Sequence, residues 1–157
     1  MKITWDTHTS LVNAIIRQMS IVGFKPEYVV GIDHRGSVAA SMIAEYFGVK
    51  MYGLSEDESN CWMSDDSHAG KNILVVSDSN VSNDVLSAIQ NDWIACQRPD
   101  TDGWDTVWNS STRFAVLVED ISSVGAIIDF SGMELNTDED TPLVTKVQMP
   151  WEKWWVI

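Results

Sequence analysis

The sequence predicts an α/β fold in which a mainly parallel β-sheet is flanked by helices. Short, continuous apolar runs at residues 28–32, 73–76 and 113–118 are typical of strands that are buried on both faces. Apolar residues at helical spacing lie before and after the first of these runs. The repeated order of strand, turn and helix implies right-handed crossovers between parallel strands. In such sheets, ligands bind beyond the carboxyl ends of the strands.

Two helices surround the first predicted strand. The first begins after an N-cap at Thr4 or Thr7 and ends at Gly23. The second follows a turn at residues 33–37, carries apolar residues along one face and ends at Gly48. A strand, a short helix and a last strand complete the prediction, at residues 49–54, 84–89 and 127–130. The turns after the strands, at residues 33–37 and 77–83, are the places to look for a ligand site.

Length and composition favour one globular domain that covers residues 1–157, since 157 residues can bury a core without disulfides or metals. No apolar run is long enough to span a membrane, and the first residues lack the basic and apolar regions of a signal peptide. Cys61 and Cys96 match no metal-binding or redox spacing and indicate ordinary thiols in a reducing compartment. We therefore expect a cytoplasmic protein.

The net charge of −13 argues against binding to nucleic acid, because phosphate contacts require clustered Lys and Arg side chains. The same charge repels a polyanionic substrate unless metal ions or local dipoles compensate for it. Residues 55–71 are polar and acidic and predict an exposed flap. The aromatic C-terminus, with Trp151, Trp154 and Trp155, favours a packed chain end or a subunit contact over a ligand platform.

Four segments in order resemble a known enzyme family: YVVGIDHRGSVAASMIAEYFGV, KNILVVSDSNVSNDVL, RFAVLVEDISS and MPWE. They are similar to the type I phosphoribosyltransferases, in particular to the bacterial xanthine-guanine and related purine enzymes, over nearly the whole chain. The resemblance implies a phosphoribosyltransferase-like sheet with a small hood or flap. It also implies transfer of ribose 5-phosphate from phosphoribosyl pyrophosphate (PRPP) to a nucleobase, with Mg²⁺. The family often dimerises, and the aromatic C-terminus would suit an isologous contact in a homodimer.

By this resemblance, the turn after the first strand holds pyrophosphate. Arg35 and Gly36 match the Arg-Gly pair of the family, and Ser37 stands where the family has a second Gly. An alignment without a gap instead places His34 at the Arg position, where its protonated ring would contact phosphate. A histidine in a surface turn is the alternative interpretation of His34.

The turn after the central strand would hold the ribose. Ser77 and Asp78 replace two adjacent acids of the family, so Asp78 is the candidate catalytic residue, ribose contact and Mg²⁺ ligand. Ser77 is a further PRPP-binding candidate. Val81 stands where the family often has a third Asp, and an aliphatic side chain cannot accept a proton from the base.

The 5-phosphate loop would include Ser82 and Asn83, in place of the Thr-Gly of the family. Ser82 keeps a hydroxyl donor, and Asn tolerates the left-handed conformation that Gly supplies. The alternative is a helix start, with Ser82 as N-cap and Asp84 as a first-turn acid that complements the helix dipole.

Neither purine contact of the family is retained. Glu119 and Asp120 stand where the family places a Lys, and Lys146 stands where some members have a Trp. Three hypotheses follow: an active phosphoribosyltransferase of altered specificity, a catalytically silent relative that senses a nucleotide or phosphate ligand, and a module that binds a protein partner through the flap or the aromatic tail.

Overall fold

The computed structural model describes residues 1–55, 71–80, 86, 112–123, 127–136 and 147–155. Within these ranges, the continuous helices are α1 (Trp5–Val22) and α2 (Asp33–Phe47). The five strands are β1 (Tyr28–Ile32), β2 (Lys50–Leu54), β3 (Ile73–Ser79), β4 (Thr112–Asp120) and β5 (Phe130–Leu135). They form one sheet in the order β2-β1-β3-β4-β5, in which every neighbouring pair is parallel. The predicted α/β class with a mainly parallel sheet is confirmed.

Helix α1 begins and ends at the residues that the sequence indicates. Of the two predicted N-caps, Thr4 takes the role, because its hydroxyl accepts a hydrogen bond from the backbone N–H of Thr7 at 3.2 Å. Gly23 ends the helix in the left-handed conformation, with φ 74°. Gly48 ends α2 in the same way, with φ 65°.

The core lies on both faces of the sheet. Helices α1 and α2 pack on one face, where they cover residues such as Val29, Leu74, Ala115 and Leu117. Residues of alternate register, among them Val75, point to the opposite face and pack with Leu86. All seven residues of β3 are buried, as a central strand of a parallel sheet requires.

Two predicted boundaries were wrong at the carboxyl ends of the strands. Residues 33–37 do not form a separate turn: α2 starts at Asp33, directly after β1, and the redirection is concentrated in Asp33, which has φ 50°. Strand β3 continues to Ser79, so Ser77 and Asp78 are strand residues. Parallel pairing of Ser77 and Ser79 with β4 extends the strand past its apolar part.

The predicted last strand at residues 127–130 was also misplaced, since β5 is Phe130–Leu135. Asp129 lies before it, where its carboxylate accepts a hydrogen bond from the N–H of Phe114 at 2.8 Å and its own N–H donates to the Phe114 carbonyl at 2.8 Å. Pairing between the strands then starts with Ala115 opposite Phe130.

The chain ends meet beside α1. Lys2 and Gln148 form a parallel bridge, in which the N–H of Ile3 donates to the Gln148 carbonyl at 2.9 Å. Val147 and Met149 are buried in the core under α1. Trp151 packs at the margin of that core, whereas Trp154 and Trp155 are exposed.

Several predictions lie outside the described residues: most of the flap, the helix at residues 84–89 apart from Leu86, and both cysteines. In the described part of the chain, neither helix has the length and apolar character needed to cross a membrane.

Candidate functional site

A cluster of buried polar side chains lies at the carboxyl edge of the sheet. Residues 77–80, at the end of β3, are only 2% to 5% exposed, and Asp120, at the end of β4, is 6% exposed. Because β3 and β4 run parallel, these ends lie at the same edge. Burial of polar groups costs free energy unless they find partners, so such a concentration marks this edge as a candidate ligand site.

Asp78 is the central acid of this cluster. Burial raises the pKa of its carboxyl group to about 6, while the positive charge of Arg35 and a hydrogen bond from the Ser79 backbone oppose the rise and Glu152 adds to it. The Ser77 hydroxyl donates to the Asp78 carboxylate at 3.4 Å. Asp78 is therefore a mostly ionised and poorly solvated carboxylate at neutral pH, which can gain from hydroxyl donors or a cation.

Arg35 reaches the same place from the first turn of α2. Its side chain is half-buried, and its charge acts on Asp78. Ile32, the N-cap residue of α2, provides no side-chain hydrogen bond to the first turn. A helix N-terminus with a cation beside it favours an anion, although Asp33 in the first turn offsets part of this potential. His34, the alternative cation, is exposed.

Gly36 is required by the packing of α2 on β3. A Cβ atom at this position would lie 1.9 Å from the carbonyl oxygen of Val76 and 2.8 Å from its carbonyl carbon. These distances leave room for a hydrogen atom only, so the absent side chain lets the helix rest on the strand backbone. The predicted contact between Gly36 and a pyrophosphate stays a prediction, whereas its structural role is visible.

Ser37 is also engaged within the fold. Its hydroxyl donates to the carbonyl oxygen of Asp33, one helical turn back, and its Cα would lie 2.8 Å from a Cβ at Gly31. Of the predicted PRPP-binding residues, the structure therefore brings Arg35, Ser77 and Asp78 to one place. Gly36 and Ser37 adjoin it as packing residues. Ser82 and Asn83 lie outside the described residues, as do Val81 and Lys146.

A hydrogen-bonded clamp joins the ends of β3 and β4. The Asn80 side chain accepts from the N–H of Asp120 at 2.6 Å and donates to its carbonyl oxygen at 3.3 Å. The Asp120 carboxylate accepts from the N–H and hydroxyl of Ser122, at 3.1 and 2.6 Å. Asn80 was not among the predicted site residues, although its place after a buried strand at the same edge as Asp120 was a usable signal.

Glu119 differs from its neighbour Asp120. It is half-buried, and burial raises the pKa of its carboxyl group, with a hydrogen bond to the Ser131 side chain opposing the rise and the charge of Glu134 adding to it. Asp120 is committed to its own turn, so Glu119 is the acid of this pair that is better suited to contact a ligand.

The C-terminal turn, residues 150–153, contributes a charge to the site. Glu152 acts on Asp78, and its backbone is held by two hydrogen bonds: its N–H donates to the Met149 carbonyl at 3.0 Å, and its carbonyl accepts from the Gln148 side chain at 3.2 Å. Glu152 was not predicted as a site residue, because nothing in the local sequence indicates which way the tail folds.

The donor set at Asp78 bears on the Mg²⁺ that the family resemblance implies. Within the described ranges, no group of three or more His, Cys, Asp or Glu side chains is placed to hold a metal ion. Mg²⁺ often binds through one or two carboxylates together with substrate phosphates and water. A single carboxylate beside a hydroxyl fits a Mg²⁺ ion that arrives with a phosphorylated ligand, rather than a resident structural metal.

No family model and no curated protein matches the amino-acid sequence. The three-dimensional structure is similar to purine phosphoribosyltransferase from Pyrococcus horikoshii Ot3, with a TM-score of 0.66 and 12% identity, covering 100% of this chain and 96% of that one. Xanthine-guanine-hypoxanthine phosphoribosyltransferase from Helicobacter pylori aligns with a TM-score of 0.65 and 15% identity, over 97% and 92% of the two chains.

A hypothetical protein from Neisseria gonorrhoeae with bound ppGpp is also similar, with a TM-score of 0.60 and 17% identity, over 97% of this chain and 89% of that one. At such identities the likeness concerns the fold. The parallel sheet, the helices and the polar carboxyl edge agree with this likeness, and the chain has the type I phosphoribosyltransferase fold.

Proposed function

We propose that this protein binds PRPP at the carboxyl edge of the sheet and transfers its ribose 5-phosphate to a nucleobase. One observation carries the proposal: the buried carboxylate of Asp78 lies near the carboxyl end of the central strand, where the positive charge of Arg35, at the start of α2, acts on it. In a phosphoribosyltransferase fold, Asp78 would then accept hydrogen bonds from the ribose hydroxyls, and Arg35 would bind a phosphate group. Two of the similar structures are named as enzymes of this class.

Asp78 would act on the ribose. Burial leaves its carboxylate poorly solvated, with the residue 5% exposed, and ribose hydroxyls would donate further hydrogen bonds to it. A carboxylate near the sugar also stabilises the positive charge that develops on the ring as the bond to pyrophosphate breaks. The raised pKa means that donors or a cation at Asp78 would favour its ionised form on ligand binding.

Arg35 would act on the leaving group. Its guanidinium and the N-terminus of α2 favour the negative charge that collects on pyrophosphate. Mg²⁺, when bound with the ligand, supplies further neutralisation of that charge. The net charge of −13 makes such local compensation necessary for any polyanionic ligand.

Glu119 would contribute to the base site. It is a half-buried acid at the same edge of the sheet, and it can accept a hydrogen bond from an exocyclic amino group or a ring N–H. An acid at this position favours bases that present donors.

A second function, ligand binding without transfer, is supported by a different observation. Ser77 stands where the family has an acid, so Asp78 lacks a charged neighbour on the strand. The similar protein from Neisseria gonorrhoeae has bound ppGpp, and this supports a nucleotide as the ligand in the second function. In this case Asp78 and Arg35 would hold a nucleotide as a signal.

The test is an incubation of the protein with PRPP, Mg²⁺ and a panel of nucleobases, followed by measurement of pyrophosphate release and nucleotide formation. We expect base-dependent release that is lost in Asp78→Asn. Asp129→Asn is the matched control, because Asp129 lies where β5 begins and also has a pKa raised by burial. Binding of PRPP or ppGpp without release would favour the sensor, and absence of both would contradict the two functions.

A further inference from the structure

We propose that His8 is a positioning residue that holds the C-terminal turn, residues 150–153, against the site in its neutral form and releases the turn when it is protonated. Release of the turn is a property of the ligand-free protein and does not depend on the proposed function. Only an effect of this release on ligand binding rests on that function.

The surroundings of His8 are unusual for a titratable side chain. The imidazole is fully buried on the inner face of α1, and neither of its ring nitrogens has a hydrogen-bond partner among the described residues. A neutral imidazole carries one donor and one acceptor, and a buried polar group without a partner costs about 1–3 kcal/mol. His8 therefore stays buried at a cost that an apolar ring would avoid.

Aromatic packing accounts for the position of the ring. Its centroid lies 5.2 Å from that of Trp151, at an interplanar angle of 86°, and 5.8 Å from that of Trp5, at 75°. The indole N–H of Trp151 is likewise buried without a partner among the described residues. A Phe side chain at position 8 could make the same edge-to-face contacts. The property that His adds is the uptake of a proton near neutral pH.

The turn connects this contact to the site. Trp151 touches His8, and the next residue, Glu152, carries the charge that acts on Asp78. Lys153 follows with φ 53°, a left-handed conformation that is unfavourable for a residue other than Gly. The turn is thus held in a strained form by its contacts, and loss of the contact between His8 and Trp151 removes one of them.

Among the described residues, no charged group raises the pKa of His8 and so compensates for a proton on its ring. The charged groups nearest in sequence on the adjoining segments are Asp6 on α1, Glu152 and Lys153 on the turn, and Lys2 with the chain amino group at the N-terminus. Burial is the cause that lowers the pKa of His8, and none of these groups contributes to the shift. Protonation therefore opposes burial of the ring.

The direction of the pH effect follows from linkage. In the closed form the C-terminal turn packs on His8, and in the open form it is released. The closed form binds the His8 proton less tightly than the open form. Closure is therefore fully favoured above the ordinary His pKa of 6.5 and weakens as the pH falls below it. Uptake of one proton changes the ratio of open to closed forms by up to about tenfold per pH unit.

The test follows the His8 ring, the Trp151 indole and the Asp78 carboxyl by NMR from pH 8 to pH 5, in the ligand-free protein and in His8→Phe. We expect the Trp151 indole and Glu152 amide signals of the natural protein to change with the protonation of His8. The protection factor of the Glu152 amide, which is corrected for the intrinsic exchange rate at each pH, should fall by up to about tenfold for each pH unit below 6.5. In His8→Phe the Trp151 indole signal should be constant over this range, and the Glu152 amide should follow only the titration of Asp78, on which Glu152 acts.

Equal pH dependence in the two proteins would overturn the proposal, as would a Trp151 signal that stays unchanged while His8 takes up its proton. The second of these readings uses the natural protein alone, so it decides the matter even if His8→Phe fails to fold. Because this test uses no ligand, failure of PRPP to bind would contradict the proposed function and would leave the role of His8 in holding the C-terminal turn unaffected.

Discussion

The polar residues at the carboxyl ends of β1 and β3 have different roles: those after β1 begin α2, and those at the end of β3 still belong to the strand. After β1, Gly36 lies against the backbone of β3 and the Ser37 hydroxyl bonds within its own helix, so both residues serve packing. At the end of β3, by contrast, Asp78 is buried beside a hydroxyl at 3.4 Å, and its carboxyl pKa is raised to about 6. The first segment therefore positions the helix, and the second supplies the titratable side chain of the candidate site.

A glycine or serine that matches a ligand-binding motif can therefore serve only the packing of the fold. The distance to the neighbouring backbone shows the packing role of Gly36. A Cβ there would lie 1.9 Å from the Val76 carbonyl oxygen, so the position requires glycine whether or not a ligand binds. A buried acid such as Asp78 is different, because burial raises its pKa and its ionised form costs the fold free energy.

Substitution of Gly36 tests the packing side of the comparison and should have the largest effect. In Gly36→Ala, the new Cβ would collide with the Val76 carbonyl, which belongs to the backbone of a central strand. We expect a loss of about 3 kcal/mol or more in the free energy of unfolding, measured by urea denaturation.

Gly53→Ala is the matched control. No atom lies within 4 Å of a Cβ placed at Gly53, so its stability should stay within about 0.5 kcal/mol of the natural protein. Equal stability of Gly36→Ala and Gly53→Ala would show that α2 does not need its close approach to β3.

Asp78→Asn tests the chemical side and should increase stability. The native carboxyl has a pKa near 6 against 3.8 for the free group, so the native state holds the proton more tightly than the unfolded state. The ionised Asp78 then costs up to about 3 kcal/mol above pH 6, and Asn does not incur this cost.

The pH dependence gives the sign of this effect. The stability of the natural protein relative to Asp78→Asn should fall as the pH rises from 3.8 to about 6 and should be constant above that. Thermal unfolding of both proteins at several pH values measures it. A variant that is less stable than the natural protein at pH 7 to 8 would indicate that Asp78 serves the fold.

Asn80→Ala tests whether the hydrogen-bonded clamp between the ends of β3 and β4 stabilises the fold. It removes both hydrogen bonds to the backbone of Asp120 and leaves a buried N–H without its partner. We expect a loss of about 1–3 kcal/mol in the free energy of unfolding. Ser122→Ala, which removes a single hydroxyl contact to the Asp120 carboxylate, should cost about 1 kcal/mol and serves for comparison. A smaller loss in Asn80→Ala than in Ser122→Ala would contradict the clamp.

Glu152→Gln should have the smallest effect, a decrease of the pKa of Asp78. The Glu152 charge is the weaker of the two causes that raise this pKa, after burial, so its removal lowers the value without restoring it. NMR titration of the Asp78 carboxyl measures the change. Glu27→Gln, at the opposite edge where Glu27 accepts from the Asn72 N–H, should leave the pKa of Asp78 unchanged. If the two substitutions changed the pKa of Asp78 equally, the C-terminal turn would not be part of the candidate site.

Much of the fold could be predicted because its elements carry local signals. Continuous apolar runs indicated β1, β3 and β4, and Thr4 and Gly23 bounded α1 correctly. The start of α2 was not predicted correctly, since a polar segment with a glycine resembles a turn, and the close contact of Gly36 with the Val76 backbone depends on residues distant in sequence.

The candidate site was predictable only in part. Asp78 follows a buried strand, which was a sufficient signal, whereas Asn80 and Glu152 depend on contacts between segments that are distant in sequence. His8 had a signal that was not used: it lies three residues before Leu11 and seven before Ile15, on the buried face of α1. No local pattern indicates that its ring meets Trp151.

Calorimetric titration of PRPP with Mg²⁺ into the natural protein and into Asp78→Asn tests the ribose-phosphate site at the carboxyl edge. We expect binding in the micromolar range by the natural protein and no measurable binding by Asp78→Asn, although that variant should be the more stable of the two. Equal binding by both proteins, or no heat from the natural protein at millimolar PRPP, would contradict the assignment of the carboxyl edge as a ribose-phosphate site.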